Sequence, residues 1–152
     1  MKKCLILLFA VLLFAGCNES KKEETTKCSI SSKDVVNNYE LNSEYVIYYT
    51  GDTVNRVHTV EKVKSDSDSI IDTFKTTIEN MYKSMNDSYG GYEYSTKVNG
   101  NELVSTTDID YNKMNVEQYV KDQPTLKSYF KDGKITLEGV KKIYNALGAT
   151  CE

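Results

Sequence analysis

Tyr39, Leu41, Ser43, Tyr45, Ile47 and Tyr49 fall on alternate positions, with Glu40, Asn42 and Glu44 between them. A period of two over this length predicts a strand with one face on a core. Thr50-Gly51-Asp52-Thr53 follows and puts glycine at the first central position of a type II′ turn, where φ must be positive. The β-branched stretch from Thr53 to Lys64, with Val54, Val57, Thr59, Val60 and Val63, reads as the returning strand. A shorter strand is expected before this hairpin, around Cys28 to Ser32.

The period changes after Lys64. Ser65-Asp66-Ser67-Asp68-Ser69 is rich in N-capping side chains, and its carboxylates oppose the positive end of a helix dipole. Ile70, Ile71, Phe74, Ile78, Met81, Tyr82 and Met85 then recur at helical spacing, which predicts a helix to about Asn86. Its buried stripe is expected to be Ile70, Phe74, Ile78, Met81 and Met85, facing Tyr39, Leu41, Tyr45, Ile47 and Tyr49 together.

Tyr89-Gly90-Gly91 ends that helix, and Tyr92, Tyr94, Thr96 and Val98 alternate along a further strand. Asn99-Gly100 reads as the central pair of a type I′ hairpin, with Glu102 to Tyr111 returning. A short helix is expected to begin at Asn115, with Gln118 as its N3 partner, and to stop before Pro124. Thr136 caps a last helix that presents Leu137, Val140, Ile143, Tyr144 and Leu147 and ends at Gly148. Strands, helix, hairpin and helices in this order predict an α+β domain, an antiparallel sheet of two hairpins with helices packed on one face.

The N-terminus has a different character. Met1-Lys2-Lys3 is a short positive region, and Leu5 to Phe14 is wholly apolar. That run is shorter than the roughly 20 residues a bilayer-spanning helix needs, but it suits a signal peptide. Ala15-Gly16-Cys17 follows at once, as in a lipobox, with Phe14 at the position three before the cysteine where leucine is usual. The expectation is a lipoprotein signal peptide over residues 1–16 and a diacylglyceryl group on Cys17, which supplies the two hydrophobic signals that stable attachment requires. An ordinary secretory signal or short anchor, with Cys17 incidental, is the alternative. Residues 17–27 are polar apart from Cys17 and read as a flexible tether, leaving 28–152 as a single domain.

Loss of Lys2 and Lys3 with the signal takes the formal net charge from −3 to −5. A mildly acidic domain argues against nucleic acid and against electrostatic attraction to anionic lipid. With Cys4 discarded and Cys17 lipidated, Cys28 and Cys151 remain. An exported chain can oxidise such a pair, and the expectation is a bridge between them rather than two free thiols.

Candidate chemistry is sparse. His58 is the only histidine and lies mid-strand, with no serine or cysteine nucleophile in a recognisable motif. Asp132-Gly133-Lys134 is similar to the middle of a calcium loop, but that alignment puts Ser128, Phe130 and Gly139 at positions that need oxygen-rich or acidic ligands. It reads as a turn, and neither a metal nor a cofactor is implied. Asp108 and Asp110 share one strand face, the one pair of carboxylates suited to acid–base or ligand-binding work. Of the 12 tyrosines, Tyr39, Tyr45 and Tyr49 share a strand face expected to cover the core, whereas Tyr48 and Tyr89 fall off the core faces and are the candidates for exposure to a ligand.

Several of these segments together resemble the YehR-like family of small bacterial lipoproteins, across nearly the whole domain. They are the signal with its lipobox, Tyr49-Thr50-Gly51-Asp52-Thr53-Val54, Gly90-Gly91-Tyr92-Glu93-Tyr94, and Thr107-Asp108-Ile109-Asp110-Tyr111 leading to Lys113-Met114, with Ala146-Leu147-Gly148 closing the last helix. The resemblance implies a fold and an envelope address, and it brings no catalytic residues. The chain departs from the family at Cys151, where an apolar residue is expected, so the resemblance does not support the cysteine pairing.

The reading that results is an envelope lipoprotein on the exported face of the cell membrane, held through Cys17, with a non-enzymatic binding or structural role. Its partners would be the membrane and an envelope protein or small ligand. The alternative is an enzyme or enzyme accessory acting on cell-wall or envelope material through residues such as Asp108 and Asp110.

Overall fold

Alternation, turn chemistry and helix caps together build a sheet with helices on one side. The computed structural model describes residues 22–152, and the signal peptide, Cys17 and the first part of the tether lie outside the described residues. In chain order the strands are β1 (Glu24–Asp34), β2 (Tyr39–Thr50) and β3 (Thr53–Lys64), then helix α1 (Asp68–Tyr89), then β4 (Tyr92–Asn99) and β5 (Glu102–Asp110). Helix α2 (Val116–Asp122), a 3₁₀ turn (Pro124–Tyr129), the two-residue strands β6 (Phe130–Lys131) and β7 (Lys134–Ile135), helix α3 (Leu137–Ala146) and β8 (Thr150–Cys151) complete the chain.

Six strands form one antiparallel sheet in the order β4-β5-β3-β2-β1-β8. After β3 the chain crosses the sheet through α1 and enters β4 at the outer edge, then turns back so that β5 lies against β3. The α+β architecture with helices on one face is the one that the order of elements predicts.

The hairpin at Gly51 has the expected form, with Thr50 opposite Thr53 and Gly51 at φ +60°. The second hairpin is displaced by one residue. Asn99 pairs with Glu102, so Gly100 and Asn101 are the central residues, and of the two only Gly100 has positive φ, at +61°. Asn101 is held in place from outside the hairpin. Its carbonyl accepts from the Ser65 N–H at 3.0 Å and its side-chain amide donates to Asp66 at 3.1 Å. The turn before α3 is itself a small hairpin, β6–β7, with Asp132 and Gly133 at φ +51° and +73°. Two adjacent left-handed residues are what a type I′ turn demands.

The tether is shorter than the polar sequence implies. Glu24 to Lys27 already belong to β1, paired with Tyr49 through Val46. They form a strand although they have little to bury, because they extend the ladder with β2 along a stretch of β1 that β8 does not cover, where Glu24, Thr25 and Lys27 stay exposed. β-Branched Thr25 and Thr26 suit such a position.

Two apolar clusters divide the helix side of the sheet. One joins Cys28, Tyr45, Ile47, Val57, Val140 and Tyr144 under α3. The other joins Val63, Ile71, Ile78, Tyr82, Tyr92 and Leu103 under α1, with Met114 from the segment before α2. The face of β2 is therefore shared: Tyr39 and Leu41 pack towards α1, and Tyr45, Ile47 and Tyr49 towards α3. The stripe of α1 is also rotated from expectation. Ile71, Ile78 and Tyr82 are buried, Phe74 and Met85 half-buried, and Met81 is 44% exposed. Ile71 and Tyr82 each stand one residue on from the Ile70 and Met81 of the expected stripe; Met81 keeps helical spacing with Ile78 and Met85 but lies at the edge of the stripe away from Ile71 and Tyr82.

The helix caps match the sequence. Asn115 accepts from the Gln118 N–H at 3.1 Å, Thr136 accepts from the Gly139 N–H at 3.0 Å, and Gly148 is left-handed at φ +92°. α1 runs on to Tyr89 and ends at Gly90, one turn beyond Asn86.

β8 meets β1 with Cys151 opposite Cys28 and Thr150 opposite Ser29. The Glu152 N–H donates to the Lys27 carbonyl at 3.0 Å, so the cysteines occupy a non-hydrogen-bonded pair, where opposed Cα atoms come closest. Their Cα atoms are 4.0 Å apart and the two sulfurs are at bonding distance. Among the described residues no helix is long and apolar enough to cross a membrane.

Candidate functional site

With all the helices on one side, the even-numbered residues of β2 and β5, those of β3 from Arg56 onward, and the odd-numbered residues of β4 are left on the open face; an irregularity at Tyr48/Tyr49 turns Val54 to the core side. The register lines them up in rows: Glu93, Asp108, His58 and Val46 in one, Asp110, Arg56 and Tyr48 in the next. Asp108 and Asp110 thus share the open face, as the strand period requires. They do not act on each other; each is engaged by a different neighbour.

Asp108 Oδ1 lies 2.9 Å from His58 Nδ1, both groups part-exposed. Asp110 accepts from the Asn112 N–H at 3.0 Å, closing the turn after β5, and its other oxygen lies 3.5 Å from Lys113 Nζ. The same ammonium is 3.7 Å from Glu93. The Arg56 guanidinium carbon sits 3.4 Å above the centre of the Tyr48 ring, a close cation–π contact. Arg56, Glu93, Asp108, Asp110 and Lys113 rim a cleft of about 410 Å³ at the end of the sheet where β1 begins, with Asn86 and Gly91 completing its wall; His58 and Tyr48 stand behind Asp108 and Arg56 and do not line it. Gly91 has no room for a side chain, since a Cβ there would come within 2.6 Å of the Asp110 carbonyl. That close approach draws the start of β4 against β5 and shapes the cleft.

Tyr48 is therefore on the open face, as expected of a residue off the core side. Tyr89 is not. It is half-buried between α1 and α2, edge-on to Tyr119 at 5.1 Å, and its hydroxyl donates to Asp122 at 3.3 Å. As the last residue of a helix longer by a turn, it docks α2 in place of meeting solvent.

The helix side carries a feature that the sequence did not announce. In the middle of the sheet Ser43, Glu61 and Ser105 form one cross-strand row, and Tyr45, Thr59 and Thr107 the next. The hydroxyls of Ser43, Ser105 and Thr107 are buried and make no hydrogen bond of good geometry among the described residues. Burial raises the Glu61 carboxyl above its ordinary pKa, opposed by the hydrogen bond from the Tyr82 hydroxyl at 3.4 Å. Burial, with the Glu61 charge, likewise holds the Tyr82 phenol protonated well above its usual range. This seam lies between the two apolar clusters and is roofed by Tyr45, stacked on Tyr144 at 4.1 Å, and by Tyr82. It is closed, whereas the cleft on the open face is accessible. No group of three or more metal-ligating acidic, histidine or cysteine side chains occurs among the described residues.

No protein-family model matches the chain, and no curated protein matches it in sequence. Two solved structures share the fold. The NMR structure of the Escherichia coli YehR protein superposes with a TM-score of 0.53 at 18% identity, over 86% of this chain and 91% of that one. The NMR structure of a protein from Streptococcus pneumoniae TIGR4 superposes with a TM-score of 0.50 at 18% identity, over 100% of this chain and 98% of that one. At this identity the likeness concerns the fold, which is YehR-like.

Proposed function

We propose that this YehR-like domain is the exported part of a lipoprotein, acylated at Cys17 and held at the outer face of the cell membrane, where it binds a partner or small ligand and catalyses nothing. The observation that carries the reading is that each of the three cysteines beyond the apolar run has a place. Cys17 follows Ala15-Gly16 at the end of an apolar run, and Cys28 and Cys151 face one another at bonding distance. A disulfide-ready pair suits an oxidising compartment outside the cytoplasm. The YehR-like fold adds support for the family resemblance drawn from the sequence.

The open-face carboxylates favour binding over catalysis. Asp108 and Asp110 are tied to His58 and to Lys113, so neither is held as a free general base in a water-excluded site. The partner is protein or small molecule, in keeping with an acidic chain that repels nucleic acid.

Cell fractionation tests the proposal. The wild-type chain should remain with membranes after high-salt washing, with the domain accessible to added protease. Cys17→Ala should release the domain or leave an unprocessed precursor. A Cys17→Ala chain that is processed and fractionates as the wild type does would contradict the proposal.

A further inference from the structure

The composition uses lysine almost to the exclusion of arginine: of 19 basic residues, Arg56 is the one arginine. It stands directly opposite Asp110 in the β3–β5 register, an arrangement in which opposite charges ordinarily pair. Among the described residues the two form no ion pair. The guanidinium turns instead towards β2 and lies on the Tyr48 ring, while Asp110 turns to the Asn112 N–H and Lys113. Between them opens the cleft of about 410 Å³, with Arg56 on one side and the Glu93, Asp108 and Asp110 carboxylates on the other.

The arrangement is selective in its chemistry. A guanidinium stacked on a ring keeps its planar N–H edge free and oriented, the geometry that receives a carboxylate or phosphate through two parallel hydrogen bonds. The surroundings do not suit a bare anion. Three carboxylates line the cleft against Arg56 and Lys113, and the imidazole of His58 is joined to Asp108, so with His58 neutral negative charge is in excess by one. A bare cation would find the carboxylates but would leave Arg56 unmatched. A ligand carrying both charges a few bonds apart satisfies both walls, since neighbouring strands lie only about 4.8 Å apart.

We propose that the cleft between Arg56 and Asp110 binds a small zwitterion, with its carboxylate or phosphate on Arg56 and its ammonium on Asp110 and the adjoining carboxylates. Two sources offer this chemistry, a free amino acid and the ethanolamine-phosphate headgroup of a lipid. The inference rests on the reading of the domain as a binding module and names the ligand class.

The test is a titration of the full chain in nonionic detergent, followed by amide ¹⁵N–¹H shifts. The probes are L-alanine, glycerophosphoethanolamine (a phosphodiester with one charge of each sign), N-acetyl-L-alanine and L-alaninamide. Saturable shifts at Arg56 and Asp110 are expected with at least one zwitterion, and binding at least tenfold weaker with the two singly charged analogues. A preference for alanine identifies a free amino acid as the source, and a preference for glycerophosphoethanolamine a lipid headgroup. Arg56→Lys retains the charge but loses the planar fork, and Tyr48→Leu removes the ring beneath it, so each should weaken binding by about tenfold or more. The inference is overturned if neither zwitterion saturates, if either singly charged analogue binds as tightly, or if Arg56→Lys binds as the wild type does. Its failure is separable from that of the anchor: an acylated Cys17 with no ligand response sinks the ligand class alone, and a ligand response without acylation sinks the anchor alone.

Discussion

Replacing Cys28 and Cys151 together with serine removes the one covalent link between the first and last strands. The bridged residues are 123 apart in sequence, so the closed loop takes in almost the whole domain. In the chain-entropy model a loop of this length restricts the unfolded chain by roughly 5 kcal/mol at 25 °C. Folding stabilities of single domains are about 5–15 kcal/mol, so the loss is a large share of the total. β8 pairs with β1 only at Cys28 and Ser29; beyond it the Glu152 N–H donates to the Lys27 carbonyl, and the Glu152 carbonyl accepts from the Thr26 hydroxyl and Lys141. Equilibrium urea unfolding of the oxidised wild type and the double serine variant, followed by circular dichroism, gives the comparison. With an m-value of roughly 2 kcal/mol per molar urea, the midpoint should fall by about 2.5 M. A fall below about 0.5 M would refute the reasoning, because it would mean that the bridge does not restrict the unfolded chain.

Leu103 is fully buried beneath α1, and Leu103→Ala should cost about 2–5 kcal/mol in the same assay, whereas Met81→Ala, at an exposed position on the edge of the buried stripe, should cost under about 1 kcal/mol. Glu61 has a folded-state pKa raised chiefly by burial, so its proton stabilises the fold at low pH and that contribution is lost as pH rises through the raised value. Glu61→Gln should therefore raise the unfolding midpoint at pH 7, with the advantage shrinking towards pH 4; an advantage that grows on acidification would reverse the sign. Asp108→Asn breaks a part-exposed pair with His58 and should change stability by no more than about 1 kcal/mol, measured by thermal or urea unfolding.

Local chemistry was legible wherever a single segment decides the outcome. Asn115, Thr136 and Gly148 cap their helices, and Gly51 turns its hairpin, because each requirement is met within four residues. The displaced turn at Gly100 was hidden because Asn101 is fixed by Ser65 and Asp66, residues far away in sequence. Ile70, Ile71, Met81 and Tyr82 all fall within helical spacing of Phe74 and Ile78, so only packing on the sheet selects Ile71 and Tyr82 over Ile70 and Met81. The candidate site shows the same division. Its strand positions were legible, with Tyr48, Asp108 and Asp110 on one face, but not its partners. His58 meets Asp108 and Arg56 stands opposite Asp110 only because the crossover through α1 brings β5 against β3. Glu61 gave no sign as one charge in an alternating strand; its burial follows from two helices closing over the centre of the sheet.

Acylation at Cys17 is read out by mass spectrometry of the N-terminal peptide of the chain recovered from membranes. The expected product is a chain that begins at Cys17 and carries a diacylglyceryl group on its sulfur. An unmodified Cys17, or a chain that begins at another residue, would contradict it.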